Sequence, residues 1–167
     1  MTDHRFADEP IGYPWSRSAA TTCALVLAAL CACAGMRAQH AEPVPAFLLG
    51  EFTDDYGSRY TIDAESWVHH PDTRYHIREW HVGERFLIAQ NDSANASDPG
   101  LWTRIDWLRL GNTTAYEWAY CYAAWRAGSP DEAVAAPATL RDTPRTGCNG
   151  FPFSRMIRVV PVRRRMR

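Results

Sequence analysis

The chain has 167 residues, which is single-domain size and enough to bury roughly two-thirds of its unfolded surface. Its formal net charge is −1, which argues against a generic nucleic-acid binder. Seven Trp, seven Tyr and six Phe supply much apolar area in few residues, while all eighteen basic residues are Arg, a side chain that stacks on rings and pairs bidentately with carboxylates.

Residues Ala19 to Ala34 form a run of sixteen uncharged residues preceded by Arg17. A bilayer-spanning helix needs about twenty apolar residues, so the run is short for an anchor and suits the core of an export signal. Residues 1–34 therefore read as a signal segment, with Ala32 and Ala34 forming an A-x-A cleavage pattern. The stretch before Arg17 is long and carries Asp3, Asp8 and Glu9, as a start placed too far upstream would produce. Leu30-Cys31-Ala32-Cys33 also resembles the bacterial lipobox, with Cys33 as the acylated residue; simple cleavage and lipidation both stay open. Either route implies export to a periplasmic, secreted or outer-membrane-anchored location.

Residues 35–46 are small, polar and proline-containing, and read as a linker. A β domain is expected over 47–156. Phe47 to Phe52 predicts a short strand, Asp54-Asp55-Tyr56-Gly57 a turn, and Arg59 to Ile62 and Trp67 to His70 two more strands. Thr73 to Trp80 alternates, with Tyr75 and Ile77 on one face and His76, Arg78 and Trp80 on the other. His81 to Glu84 predicts a hairpin turn into a strand over Arg85 to Gln90, and Asn91 to Gly100 a polar loop. Leu101 to Leu110 is expected to be the longest strand. Tyr116 to Trp125 sets Tyr116, Trp118, Tyr120 and Tyr122 against Glu117, Ala119, Cys121 and Ala123.

One helix is expected late in the chain. Ser129-Pro130-Asp131-Glu132 combines an N-cap, a proline at the first helical position and a capping-box Glu, and Pro137 should end the helix. Phe151 to Val160 can close the sheet, and residues 157–167 form an Arg-rich tail. The fold class is thus mainly β: a small antiparallel meander sheet or calycin-like barrel, with one short late helix and one disulfide.

The cysteines support export separately. Cys23, Cys31 and Cys33 lie in the signal segment, which leaves Cys121 and Cys148 as an even pair in the mature domain. A two-Cys metal site is the alternative, but no CxxC unit is present and no His flanks either Cys.

Local motifs resemble an uncharacterised group of short exported bacterial β-rich proteins. They are Gly50-Glu51-Phe52, Asp54-Asp55-Tyr56-Gly57, Ala89-Gln90-Asn91-Asp92, Arg104-Ile105-Asp106-Trp107, Tyr120-Cys121 and Gly147-Cys148-Asn149-Gly150-Phe151. The resemblance implies an exported domain with a paired Cys and brings no activity. The chain is also similar to lipocalins and the wider calycins, which open with Gly-x-Trp and often close near an Arg; Phe52 stands here in place of that Trp.

Among candidate sites, Arg104 and Asp106 share one strand face between Trp102 and Leu108. Residues two apart on a strand are neighbours, so this pair either fixes the strand or, if it faces inward, anchors an anionic ligand. Tyr75, Trp102, Arg104, Asp106, Trp107 and Trp118 together make the candidate ligand-binding set. His69, His70, His76 and His81 lack metal-ligand spacing. The loop from Asn91 to Asp98 alternates oxygen side chains, but lacks the Gly and Glu of a calcium loop. No G-x-S-x-G or phosphate loop is present, and the adjacent carboxylates Asp54 and Asp55 do not by themselves form an acid/base pair.

No catalytic residue, metal or cofactor is therefore expected. The expected role is non-catalytic binding through an aromatic/Arg face, with a small barrel enclosing an apolar or anionic molecule as the alternative. The expected partner is a small molecule or an envelope protein, not nucleic acid; membrane contact would run only through a lipid anchor at Cys33 or the Arg-rich tail.

Overall fold

The computed structural model describes residues 42–111 and 115–160. The signal segment with Cys23, Cys31 and Cys33, and Arg163, Arg164, Arg165 and Arg167 of the tail, lie outside the described residues. Within them, eight antiparallel strands close into a barrel: β1 (Gly50–Asp54), β2 (Arg59–Ile62), β3 (Ser66–His69), β4 (Thr73–His81), β5 (Phe86–Asn91), β6 (Trp102–Arg109), β7 (Trp118–Ala127) and β8 (Ser154–Arg158). Each strand pairs with the next in sequence. Phe52 opposite Arg158 and Asp54 opposite Met156 then join the last strand to the first. Closure leaves this up-and-down barrel without a free outer strand.

The inner face of each strand is filled by large side chains at alternate positions. Phe52, Tyr60, Ile62, Trp67, Ile77, Leu87, Ile105, Trp107, Trp118, Tyr120 and Met156 belong to one buried cluster. Its aromatic members meet mostly edge to face, with Phe52 and Trp118 centroids 5.2 Å apart and Trp67 and Tyr120 5.0 Å apart. Trp67 and Trp118 are so enclosed that their indole N–H groups find no hydrogen-bond acceptor among the described residues. The middle of the barrel is solid.

Several local elements differ from the sequence reading. Phe47 and Leu48 do not extend β1; they lie in a 3-10 helix (Ala46–Leu48) that turns Leu48 into the core and packs Phe47 and Leu49 beside it. This helix plugs the lower end of the barrel, which also carries the turns at 63–65 and 82–85. Arg158 locks the plug: its guanidinium donates to the carbonyls of Ala46, Phe47 and Leu49 and lies 4.8 Å from the Phe52 ring centroid. Ile157 and Arg158, which the sequence reading places both in a closing strand over Phe151 to Val160 and in the Arg-rich tail, are barrel wall. Gly50 has φ 132°, and a Cβ there would run into the Arg158 guanidinium, so the first residue of the Gly-x-aromatic motif must be small.

In β4 a bulge between Ile77 and Glu79 shifts the register against β5. One added residue reverses the alternation, which brings Trp80 to the same side as Tyr75 and Ile77, against Trp107. The longest strand is β7, with ten residues, rather than β6 with eight.

The connection from β7 to β8 runs down the outer face and back. It begins with α1 (Pro130–Ala135), whose N-cap Ser129 accepts a hydrogen bond from the Glu132 amide while the Glu132 carboxylate accepts from Gly128 N–H. Ala133 and Ala127 pack there with Phe86 and Ile88 in a second apolar cluster. The return leg is fastened to β7 by the Cys121–Cys148 disulfide, with Cα atoms 5.6 Å apart. Gly147 fits because a Cβ there would collide with the Leu140 carbonyl.

Candidate functional site

The six residues expected to bind ligand divide between two sides of the barrel wall. Tyr75, Trp107 and Trp118 point inward, whereas Trp102, Arg104 and Asp106 face outward beneath the β7–β8 connection. Arg104 and Asp106 do pair, with Nε donating to Oδ1 at 2.7 Å, and both are buried. Both make further bonds inside the protein. Arg104 donates to the carbonyls of Val134 and Ala136 at the end of α1, and its guanidinium stacks 3.9 Å from the Phe86 centroid. Asp106 Oδ2 accepts from the Thr139 amide, the Thr139 hydroxyl and Arg141. Arg141 in turn reaches the carbonyls of Glu84, Arg85 and Trp107. This set is a clamp that binds the connection to the barrel, and Arg104 and Asp106 are enclosed beneath that connection.

The histidines are likewise dispersed. His69 stacks on Tyr60, His70 bonds Thr61, His76 pairs with Asp92, and His81 pairs with Glu79. Among the described residues no three His, Cys, Asp or Glu side chains come together. In the loop after β5, Asn91 and Asn95 spend their amides on Thr103, the Asp98 carbonyl and the Arg74 backbone, and so pin the loop rather than face a cation.

Among the described residues the upper end of the barrel is open. There a cup of about 390 Å³ sits over the packed interior, lined by Tyr75, Tyr120, Tyr122, Trp125 and Phe151 with Thr73, Asn91, Asp98, Asn149 and Ser154. It exists because β7 extends past β8: Tyr120 pairs with Ser154, the first residue of β8, and Tyr122 and Trp125 continue beyond it. Trp125 and Phe151 stand at the rim, 48% and 70% exposed. Tyr75 and Tyr122 have ring centroids 5.6 Å apart, and Tyr120 meets Tyr122 edge to face at 5.3 Å. A larger depression of about 570 Å³ lies on the outer surface over Ala119 and Phe153, and is lined in part by the Asp55–Arg155 ion pair.

A chain of hydroxyls runs below the cup. Asp54 is held as an acceptor by the amides of Tyr56 and Ser58, and Tyr60 donates to its other oxygen at 2.9 Å. Because the Tyr60 proton is committed to Asp54, Tyr120 must donate in the 2.7 Å contact between the two phenols. Tyr122 turns its hydroxyl toward Tyr75 in a pairing that falls short of a well-formed hydrogen bond.

Burial raises all four phenols. Tyr60 and Tyr122 rise well above the usual range, with neighbouring phenols adding to the effect, while Tyr120 is pushed up to about 12 and Tyr75 upward although a hydrogen bond with a neighbouring phenol opposes the rise in both. The folded state thus holds these protons more tightly than the unfolded chain, whose tyrosines ionise near pH ~10. The resulting stabilisation is complete below that pH and lost as pH rises through the folded values. Phenolate absorbance is expected to lag in the folded protein and to appear together with loss of ellipticity as the barrel opens in alkali. A folded protein in which every tyrosine ionises together near pH ~10 would contradict the buried hydroxyl chain.

The sequence contained two usable signals for the cup, the alternation that turns Tyr75 inward and that of Trp118, Tyr120 and Tyr122. Trp125 and Phe151 carried none, because their place at the rim depends on where β8 begins. Comparison with known proteins gives no family model, no curated protein and no solved structure that matches this chain.

Proposed function

We propose that this is a non-catalytic binding domain of an exported protein, and that it binds a small ligand or a partner's protruding side chain in the cup at the upper end. The observation that carries this reading is the contrast between a solid barrel centre and a preformed aromatic hollow at one mouth. Exposed rings at a concave site are where binding free energy concentrates. The aromatic part of the expected face is kept and its Arg part dropped, since Arg104 is committed to the clamp. The enclosed-barrel alternative shrinks to the mouth, because Trp67, Trp118, Phe52 and Leu87 fill the space a deeper ligand would need.

The Cys121–Cys148 bridge supports an oxidising, exported location. Gly50 and Phe52 at the opening of the barrel, with Arg158 of the closing strand over the Phe52 ring, support the likeness to calycins.

Amide chemical-shift mapping with a library of small aromatic and polar fragments tests the reading. Perturbations are expected to cluster on Tyr75, Tyr122, Trp125 and Phe151. Hits scattered over the outer surface, or confined to the depression beside Phe153, would overturn it.

A further inference from the structure

Resting on the cup as the binding site, we infer that its ligand is an organic cation, a quaternary or methylated ammonium group held against tyrosine, tryptophan and phenylalanine faces. The argument starts from what the lining lacks. The chain is rich in Arg, yet among the described residues no Arg lines the cup. Instead five aromatic residues converge there, and the acidic lining residue is Asp98. Aromatic faces carry negative quadrupole potential, so several rings around a half-enclosed hollow attract a cation and favour one with weak hydration. A methylated ammonium fits because it brings charge and apolar surface together and needs no hydrogen-bond acceptor at its head. Anions meet the opposite field of the ring faces and of Asp98, which is offset only in part by an arginine outside the described lining.

Asp98 sets the strength of the field. Its Oδ1 accepts from Arg126 Nε at 2.8 Å. The Arg126 side chain is 70% exposed, so this partner stands at the solvent edge of the site and offsets part of the carboxylate's charge. The pairing makes Arg126 a tuning residue whose removal should act with a sign opposite to removal of Asp98. Arg74 is exposed nearby, and its backbone is held by Asn95.

The test compares choline with its uncharged isostere 3,3-dimethylbutan-1-ol, titrated into the folded disulfide-bonded domain and followed by amide shifts around the cup. Choline is expected to bind about tenfold more tightly than the isostere, with acetate giving no shifts at the cup. The double variant Trp125→Leu/Phe151→Leu keeps an apolar rim at exposed positions and should lose most of that preference. Arg126→Gln should tighten choline several-fold and Asp98→Asn should weaken it, both leaving the isostere unchanged. Equal binding of choline and the isostere, preference for the anion, or weaker choline binding by Arg126→Gln would each overturn the cation assignment. If neither choline nor the isostere binds, that assignment also falls. Fragments that still map to the cup would then leave the binding-domain reading standing, and an absence of such fragments would remove both.

Discussion

Replacing Asp106 with alanine is expected to lower the unfolding free energy by about 3–5 kcal/mol, the range for removing one partner of a buried ion pair. The carboxylate is fully buried and gathers Arg104, Arg141 and both donors of Thr139 around two oxygens. Without it, the Arg104 guanidinium stays enclosed beneath α1 with its charge uncompensated, and the Thr139 amide and hydroxyl lose their acceptor. The loss should begin locally. The Asp106 contacts hold the β7–β8 connection to the barrel, so amide exchange over residues 130–141 should accelerate before that of β5 and β6. Urea unfolding followed by ellipticity reads the global change, and exchange mass spectrometry reads the local one. Asp106→Asn retains the shape without the charge and should recover only part of the loss. A change below about 1 kcal/mol, in the range of an exposed pair, would show that the clamp adds little to the fold.

The second large effect belongs to the disulfide. Cys121 and Cys148 are 27 residues apart in sequence, and a loop of that size corresponds to about 3–4 kcal/mol of lost chain entropy in the unfolded state. The double variant Cys121→Ala/Cys148→Ala should show a destabilisation of that order in urea, and reduction of the native protein should reproduce it. The consequence also reaches the cup, since both cysteines and Asn149 border it and Asn149 donates to the Tyr122 carbonyl. Fragment binding should therefore weaken on reduction even under conditions where the barrel stays folded. If reduced and oxidised protein unfold at the same urea concentration, the bridge is not a stabilising element.

How much of this could be read from the sequence depended on whether the signal was local. The helix start at Ser129, the alternation of β7 and the Cys pairing rest on residues near each other in sequence or on a simple count, and all three stand in the fold. Barrel closure depends on β1 meeting β8 across about a hundred residues, as in the hydrogen bond of Arg155 to Asp55, and no short window of sequence records such a pairing. The side of the wall on which Arg104 and Asp106 sit was hidden for a different reason. From Thr103 to Leu108 every residue of β6 is buried, because the core covers one face and the returning connection the other. With both faces covered, the usual contrast between polar and apolar sides disappears. Trp80 was assigned to the wrong face because a bulge leaves the composition unchanged while shifting the parity of everything after it. The strand reading of Phe47 to Leu49 fails because these residues suit either conformation, and the turn is held by distant groups such as Arg158, over a hundred residues away.

The barrel has a direction. Glu42 lies beside Gly83 in the turn between β4 and β5, and Val159 leaves the last strand hydrogen-bonded to Glu51, so both described chain ends emerge at the plugged base. The cup opens at the far end, several residues of strand away on every side. A label attached at Glu42 or Val160 would therefore sit at the opposite end of the strands from the aromatic mouth. Such a label should leave ring-face binding at the mouth as it was.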